Sequence, residues 1–213
     1  MTDAIRHTAI LGGTFDPPHL GHIDPVIAAC NQWQFDDCWL LPNHIPPHKQ
    51  GTHADVDARL AMLDAVIAAQ PMFALCDIEL KRDTPSYTVE TLKRLKELYP
   101  SRRFYFVMGM DSFLNLPSWH RWQELFALCH LLVCKRPGYR LDSAHPMASC
   151  LAQRLYEGSK LPSEPCGRIL LTEVLERDIS STQIRRAIAS GEDVSQWLPE
   201  GVMDIINTRG LYR

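Results

Sequence analysis

A chain of 213 residues suits one domain of ordinary size, or one domain with a small lobe attached. Hydrophobic residues at 46% and charged residues at 22% exclude an intrinsically disordered chain. Twenty-two Lys and Arg against 25 Asp and Glu leave a net charge of -3, without the basic surplus of a duplex nucleic-acid binder, although a local basic groove stays open.

The first strand is predicted over His7–Leu11, ending at Gly12-Gly13, and is followed by a helix over Leu20–Gln32. Cys38–Leu41 reads as a second strand stopped by Pro42. Asp55–Ala69 reads as a helix whose apolar face carries Leu60, Leu63 and Ile67. Phe73–Cys76 is the third strand candidate. Ser86–Leu98 is a helix with the stripe Val89, Leu92, Leu95 and Ser86 as its expected N-cap. Phe104–Met108 is a fourth strand ending at Gly109, Trp119–Leu128 is expected to be helical, and Leu131–Cys134 is a fifth strand closed by Pro137-Gly138. A helix near Met147–Tyr156, a last strand at Ile169–Thr172 and helices at Ser181–Ala189 and Pro199–Asn207 complete the chain.

Strand and helix alternating in this way predict an α/β fold, a Rossmann-like doubly wound parallel sheet with helices on both faces. Ligands of such sheets lie beyond the carboxyl ends of the strands, near the reversal of strand order. That directs attention to Gly12–His22, Gly109–Ser112 and Lys135–Gly138.

The apolar runs, such as Ala65–Ala69, are far shorter than the roughly 20 residues of a membrane span. Met1–His7 is polar and lacks the apolar core of a signal peptide. The seven cysteines form no CxxC pair and mostly sit in apolar runs, which predicts reduced thiols and a cytoplasmic protein.

The first strand leads into GGTFDPPHLGH, Gly12 to His22. Two glycines allow the backbone to approach an anion, and N–H groups between a strand and a helix N-terminus can bind one. His19 and His22, three apart at the start of the helix, fall on one side of it. They suit donation to phosphate oxygens whose charge grows in a transition state. Two other readings stay open: the pair caps the helix, or it binds a metal with Asp16 or Asp24 as third ligand. ISSTQIR, Ile179 to Arg185, offers a Ser/Thr-capped helix start and a guanidinium suited to outer phosphates; a plain N-cap with a surface arginine is the rival.

Together these two segments resemble the nucleotidyltransferase superfamily marked by (T/H)xGH. PNHIPPHK (42–49), PSYT (85–88), GMDS (109–112), PSW (117–119), KRPG (135–138) and the terminal GLYR (210–213) occur in the order expected of bacterial nicotinate-nucleotide adenylyltransferases. The resemblance covers nearly the whole chain. It implies one nucleotidyltransferase domain over 1–213, with the C-terminal helical part, from about 179 to 213, completing the ATP site.

The reaction so implied joins nicotinic acid mononucleotide to the AMP moiety of ATP by in-line attack on the α-phosphate. It gives nicotinic acid adenine dinucleotide and pyrophosphate, a step of NAD biosynthesis, by positioning and charge neutralisation. By the resemblance His19, His22 and Arg185 are the catalytic residues. Gly12, Gly13, Thr14, Phe15, Ile179, Ser180 and Thr182 line the ATP phosphates, Gly109 and Asp111 serve the adenosine ribose, and Arg136 lies along the adenine or the phosphates. Asp111 can equally be the N-cap of a short helix. Trp119 stacks on the pyridine ring, and Thr88 and the backbone N–H of His120 meet the nicotinate carboxylate. His48 and Lys49 are phosphate partners in the acceptor half, or a solvated basic turn. Trp122, Trp33 and Trp39 read as packing residues. Mg²⁺ is expected on the ATP phosphates rather than in a protein cage.

The expected partners are small molecules, with no nucleic acid and no membrane. Phosphopantetheine or the amide mononucleotide as acceptor, and a nucleotide-binding regulator without catalysis, stay open. An NAD-dependent oxidoreductase is discounted because GxGxxG is missing. Asp24, an acid just past His22, departs from the family pattern and sits awkwardly near a phosphate site unless it points away.

Overall fold

Arg6–Gly13 forms strand β1, and Thr8–Leu11 at its centre are buried. The computed structural model describes residues 4–44, 52–82, 85–175, 177 and 179–213. In chain order, these residues form α1 (Leu20–Trp33), β2 (Asp37–Pro42), α2 (Val56–Ala69), β3 (Phe73–Leu75), α3 (Thr88–Leu98), β4 (Arg102–Gly109) and α4 (Met110–Leu114). There follow β5 (His130–Lys135), α5 (Met147–Arg154), β6 (Ile169–Glu173), α6 (Ser181–Ala189) and α7 (Val202–Arg209).

The six strands make one sheet in the order β3-β2-β1-β4-β5-β6. β1 pairs parallel with β4, β4 with β5, and β5 with β6. This is the predicted Rossmann-like α/β arrangement, and its order reverses between β1 and β4. Among the described residues no helix is long and apolar enough to cross a membrane. All seven cysteines are free thiols, and five are buried.

Contacts divide the chain into two compact units. One comprises Met1–Leu11, Ala28–Cys38 and Tyr87–Leu175; the other comprises Gly12–Ile27, Trp39–Ser86 and Glu176–Arg213.

In the first unit the strands bury continuous apolar runs, as covered parallel strands do. Phe104–Met108 and Leu131–Cys134 are inaccessible or nearly so. Trp33 and Trp39, read as packing residues, are both in the core, and Trp33 donates its indole N–H to Thr172 Oγ1 at 2.7 Å. The predicted α-helix Trp119–Leu128 is instead a 3-10 turn over Trp122–Ala127. Arg121, just before it, holds φ 52°, which an α-helix cannot contain.

In the second unit α2 packs against β3 and α7. Asp55 caps α2, accepting from Ala58 N at 2.7 Å. Such a cap contributes about 1 kcal/mol. The buried residues of α2 are Ala58, Arg59, Met62, Leu63 and Val66; of the predicted face Leu63 is buried, while Leu60 and Ile67 are half-buried. α7 ends at Gly210, whose φ of 62° lets Leu211 N–H return to Ile206 O at 3.0 Å and turns the tail back. Ser86 is not the N-cap of α3. Tyr87 takes that place, and Ser86 Oγ accepts from His44 N at 3.2 Å.

Candidate active site

Within the second unit the chain leaves β1 at Gly13, whose carbonyl accepts from Asn43 N at 3.0 Å. Phe15 follows with φ 52° and a buried ring. Gly13 lies against that ring: a β-carbon there would meet Phe15 Cζ at 3.1 Å. Arg59 holds the turn from below. Its side chain is 1% exposed, and Nη1 donates to both Thr14 O and Asn43 O at 2.9 Å.

The turn delivers His19 to the start of α1, and His22 lies one turn on. The rings stack with centroids 3.6 Å apart and 25° between planes. His22 and Phe15 form a T-shaped pair, their centroids 5.8 Å apart and their planes at 84°. His19 is 3% exposed, and its Nδ1 has no hydrogen-bond partner among the described residues. Burial, and then the charge of His22, push His19 down to about 3. Gly21 makes this stack fit. A β-carbon there would lie 3.0 Å from His19 Nδ1 and 3.3 Å from Ile179 O.

The start of α6 is stitched to the same turn. Ser180 caps α6 through Gln183 N at 3.2 Å. Ser181 Oγ donates to Pro17 O at 3.0 Å, and Arg185 Nη1 to Asp16 O at 2.7 Å. Arg185 Nη2 also donates to Thr182 Oγ1 at 3.2 Å. His19, His22, Ile179, Ser180, Thr182 and Arg185 are thus gathered around one turn. The arrangement offers imidazole donors, a helix N-terminus and a tethered guanidinium, which together suit an anion of high charge.

The carboxylates weighed as a third metal ligand are engaged elsewhere. Asp16 accepts from His53 N, Ala54 N and Tyr212 Oη. Asp24 pairs with Arg177 at 2.6 Å, so the acid that departs from the family pattern carries a counter-charge. Among the described residues no three His, Cys, Asp or Glu side chains are grouped to hold a metal ion.

In the first unit, Gly109 is the N-cap of α4, and Asp111 follows in its first turn. Asp111 is therefore not the cap. Its carboxylate folds over Gly109, where a β-carbon would lie 2.7 Å from Oδ1. Thr88 opens α3. Trp119 is half-buried, in a T-shaped pair with Phe106 at 6.0 Å and 88°. The exposed His120 ring lies 4.4 Å from that of Tyr87. Trp122 is half-buried and meets Phe126 at 6.3 Å. Arg136 is exposed just past β5, and its carbonyl accepts from Tyr139 N at 3.0 Å. His48 and Lys49 lie outside the described residues.

Four contributors escaped sequence reasoning. Ser181 lies inside ISSTQIR, where Ser180 and Thr182 read as the polar contributors. Asp16 reads as a possible metal ligand, not as a support of the turn. Arg59 sits on a helix face that apolar spacing did not select, and Tyr212 was noted only as part of the terminal GLYR.

Residues 10–187 match the cytidylyltransferase-like family. A relative from Shewanella pealeana, named a probable nicotinate-nucleotide adenylyltransferase, is 50% identical over 96% of this chain and 94% of its own. A Shewanella baltica relative of the same name is 48% identical over 95% of this chain and 97% of its own. Among solved structures, the nicotinic acid mononucleotide adenylyltransferase of Plasmodium falciparum, complexed with APC, aligns with a TM-score of 0.72, covering 97% of each chain. At 19% identity that likeness speaks for the fold. A buried parallel sheet, the GGTFDPPHLGH turn and relatives matched from end to end agree: the chain belongs to the cytidylyltransferase-like family and, within it, to the nicotinate-nucleotide adenylyltransferases.

Proposed function

We propose that the chain transfers the adenylyl group of ATP to nicotinic acid mononucleotide. A phosphate oxygen of the mononucleotide attacks the α-phosphorus. The bond to the β-bridging oxygen breaks, pyrophosphate leaves, and nicotinic acid adenine dinucleotide remains. The observation that carries the reading is the tethering of α6 to the His19–His22 turn through Ser181 and Arg185, in a chain half identical to relatives of that name.

In this reading His22 donates to the α-phosphate oxygens and His19 to the neighbouring phosphate. Gly12, Gly13, Thr14 and Phe15 bring the main chain against the phosphates. Arg185, Thr182, Ser180 and Ile179 hold the outer ones. Asp111, beside Gly109, receives the ribose hydroxyls, and Arg136 flanks the nucleotide. Trp119 stacks on the pyridine ring, while Thr88 and the His120 N–H meet its carboxylate; His48 and Lys49 take the acceptor phosphate. The protein's work is positioning and stabilisation of developing charge. Mg²⁺ carried in with ATP would sit on its phosphate oxygens and supply charge neutralisation for the leaving pyrophosphate. The setting is the cytoplasm, where ATP and the mononucleotide are made available.

The test compares acceptors by pyrophosphate release with ATP and Mg²⁺. The acid mononucleotide should be turned over well ahead of the amide mononucleotide and phosphopantetheine. A preference for either of those, or ATP binding without turnover of any acceptor, overturns the reading. His22→Ala should lower kcat by about 10²–10³ while the fold is retained.

A further inference from the structure

Tyr212 stands next to the last residue, yet its hydroxyl lies 2.7 Å from Asp16 Oδ1, 196 positions away in sequence. Burial, and then the Asp16 carboxylate, push its pKa upward, so the hydroxyl stays protonated and donates. Tyr212 holds φ 65°, in the left-handed region that a bulky side chain disfavours. Backbone strain of this kind persists only where the surroundings over-determine it, and it concentrates at functional sites.

Asp16 is 3% exposed and sits at the centre of the second unit's polar connections. Its carboxylate also accepts from His53 N at 2.7 Å and Ala54 N at 3.1 Å. The buried Arg59 guanidinium, which holds Thr14 O and Asn43 O, lies within electrostatic reach of Asp16 and Tyr212. On the main-chain side, Asp16 O accepts from Arg185 Nη1 at 2.7 Å. The next carbonyl, Pro17 O, accepts from Ser181 Oγ at 3.0 Å. The residue clamped through its side chain by the tail therefore places, through its backbone, the guanidinium of α6 and the turn into His19.

We propose that Tyr212 is a positioning residue of the triphosphate site, acting through Asp16 to fix Arg185 and the turn that carries His19. This rests on the reading of those two groups as phosphate ligands. Tyr212 itself touches no substrate. A tail that only stabilised the fold would alter thermal stability and leave nucleotide affinity alone.

The experiment is titration calorimetry of the full chain with ATP, for the parent, Tyr212→Phe, Asp16→Asn and the double variant, with thermal midpoints measured alongside. Tyr212→Phe deletes one oxygen and should weaken ATP binding by about tenfold, the scale of one hydrogen bond to a charged group. The double variant should lose little more than the worse single variant, because both act through one contact. In turnover assays the KM for the acceptor should stay within about twofold, since only the ATP half is disturbed. ATP affinity unchanged in Tyr212→Phe, or losses that multiply independently, overturn the proposal. If Asp16→Asn fails to fold, Tyr212→Phe alone decides. A parent that binds no ATP overturns the phosphate reading itself, a result distinct from a parent that binds it and a Tyr212→Phe variant that matches it.

Discussion

The imidazole rings of His19 and His22 face each other 3.6 Å apart, and His19 is almost wholly buried. Two positive charges at that distance repel, and burial penalises the charged form of His19. With His19 held down to about 3, that ring is neutral in the free protein at pH 7. A triphosphate bound beside His19 adds negative charge there and should draw a proton onto that ring. ATP binding should therefore take up a proton, more than zero and up to about one at pH 7, and should tighten as pH falls. Calorimetry in two buffers of different ionisation enthalpy reads this directly. ATP's own titration is removed by comparing the parent with His19→Asn. Equal proton uptake in the two proteins contradicts the linkage.

Gly21 is the spacer that lets the imidazoles stack. Adding one methyl at this position places carbon 3.0 Å from His19 Nδ1 and 3.3 Å from Ile179 O, closer than real contacts normally come. One neighbour is backbone, so the His19 ring must give way. The ring need move only a few tenths of an ångström, so Gly21→Ala should lower kcat by about tenfold, less than the loss expected for a misplacement of about 1 Å at a reacting centre. Circular dichroism and the thermal midpoint should show the fold intact. A variant with parental kcat removes the histidine stack from the mechanism.

Much of the sheet was legible because buried parallel strands read as continuous apolar runs, as in Phe104–Met108. The ladder extends β4 further, to Arg102 and Arg103, because these pair with Arg6 and His7. Composition gives no sign of that. Periodicity found α2 and its buried Leu63, but counting only apolar residues passes over Arg59, a buried guanidinium that donates to two backbone carbonyls. Ser86 looks like a cap locally, yet its oxygen serves His44 N across the chain. Asp24 reads as misplaced in sequence because its partner, Arg177, is 153 positions away. That pair is half-exposed, and such pairs contribute about 0–1 kcal/mol. The motif residues could be read because each motif is contiguous. Their supports, Asp16 with Tyr212 and Ser181 with Pro17, join segments that only folding brings together.

Trp119 and Phe106 form a T-shaped pair, and the indole is half-buried rather than sunk in the core. A tryptophan of that kind is a platform on which a flat ring can stack. Trp119→Ala should raise the KM for nicotinic acid mononucleotide by about tenfold, with the KM for ATP within about twofold of the parent. Steady-state kinetics with each substrate varied in turn gives both constants. Equal losses for the two substrates would mean that Trp119 supports the fold rather than the acceptor.

His130 offers a test of the first unit that needs no substrate. It is fully buried on β5 and stacked on Tyr105 at 4.8 Å. Arg168 N donates to its Nδ1 at 3.2 Å, which makes Nε2 the protonated nitrogen and the donor to Glu164 O at 3.0 Å. The ring is thus used as a neutral donor–acceptor, and burial holds it down to about 4. An unfolded histidine titrates near 6.5, so between about pH 6.5 and 4 the unfolded chain binds the extra proton and the native state does not. Stability from this group is complete above pH 6.5 and is lost as pH falls through that window, amounting to about 2–3 kcal/mol by pH 4.5. In a chain of this length that lowers the thermal midpoint by roughly 5–10 °C. His130→Gln keeps one donor and one acceptor but cannot titrate. Its midpoint should be lower at pH 7 because the stack on Tyr105 is lost, and it should fall less than the parent's between pH 7 and 4.5. His19 contributes to acid loss in the same direction, so the comparison is best repeated in the His19→Asn background. A His130→Gln protein that shows the full parental drop in both backgrounds would exclude His130 as the titrating group.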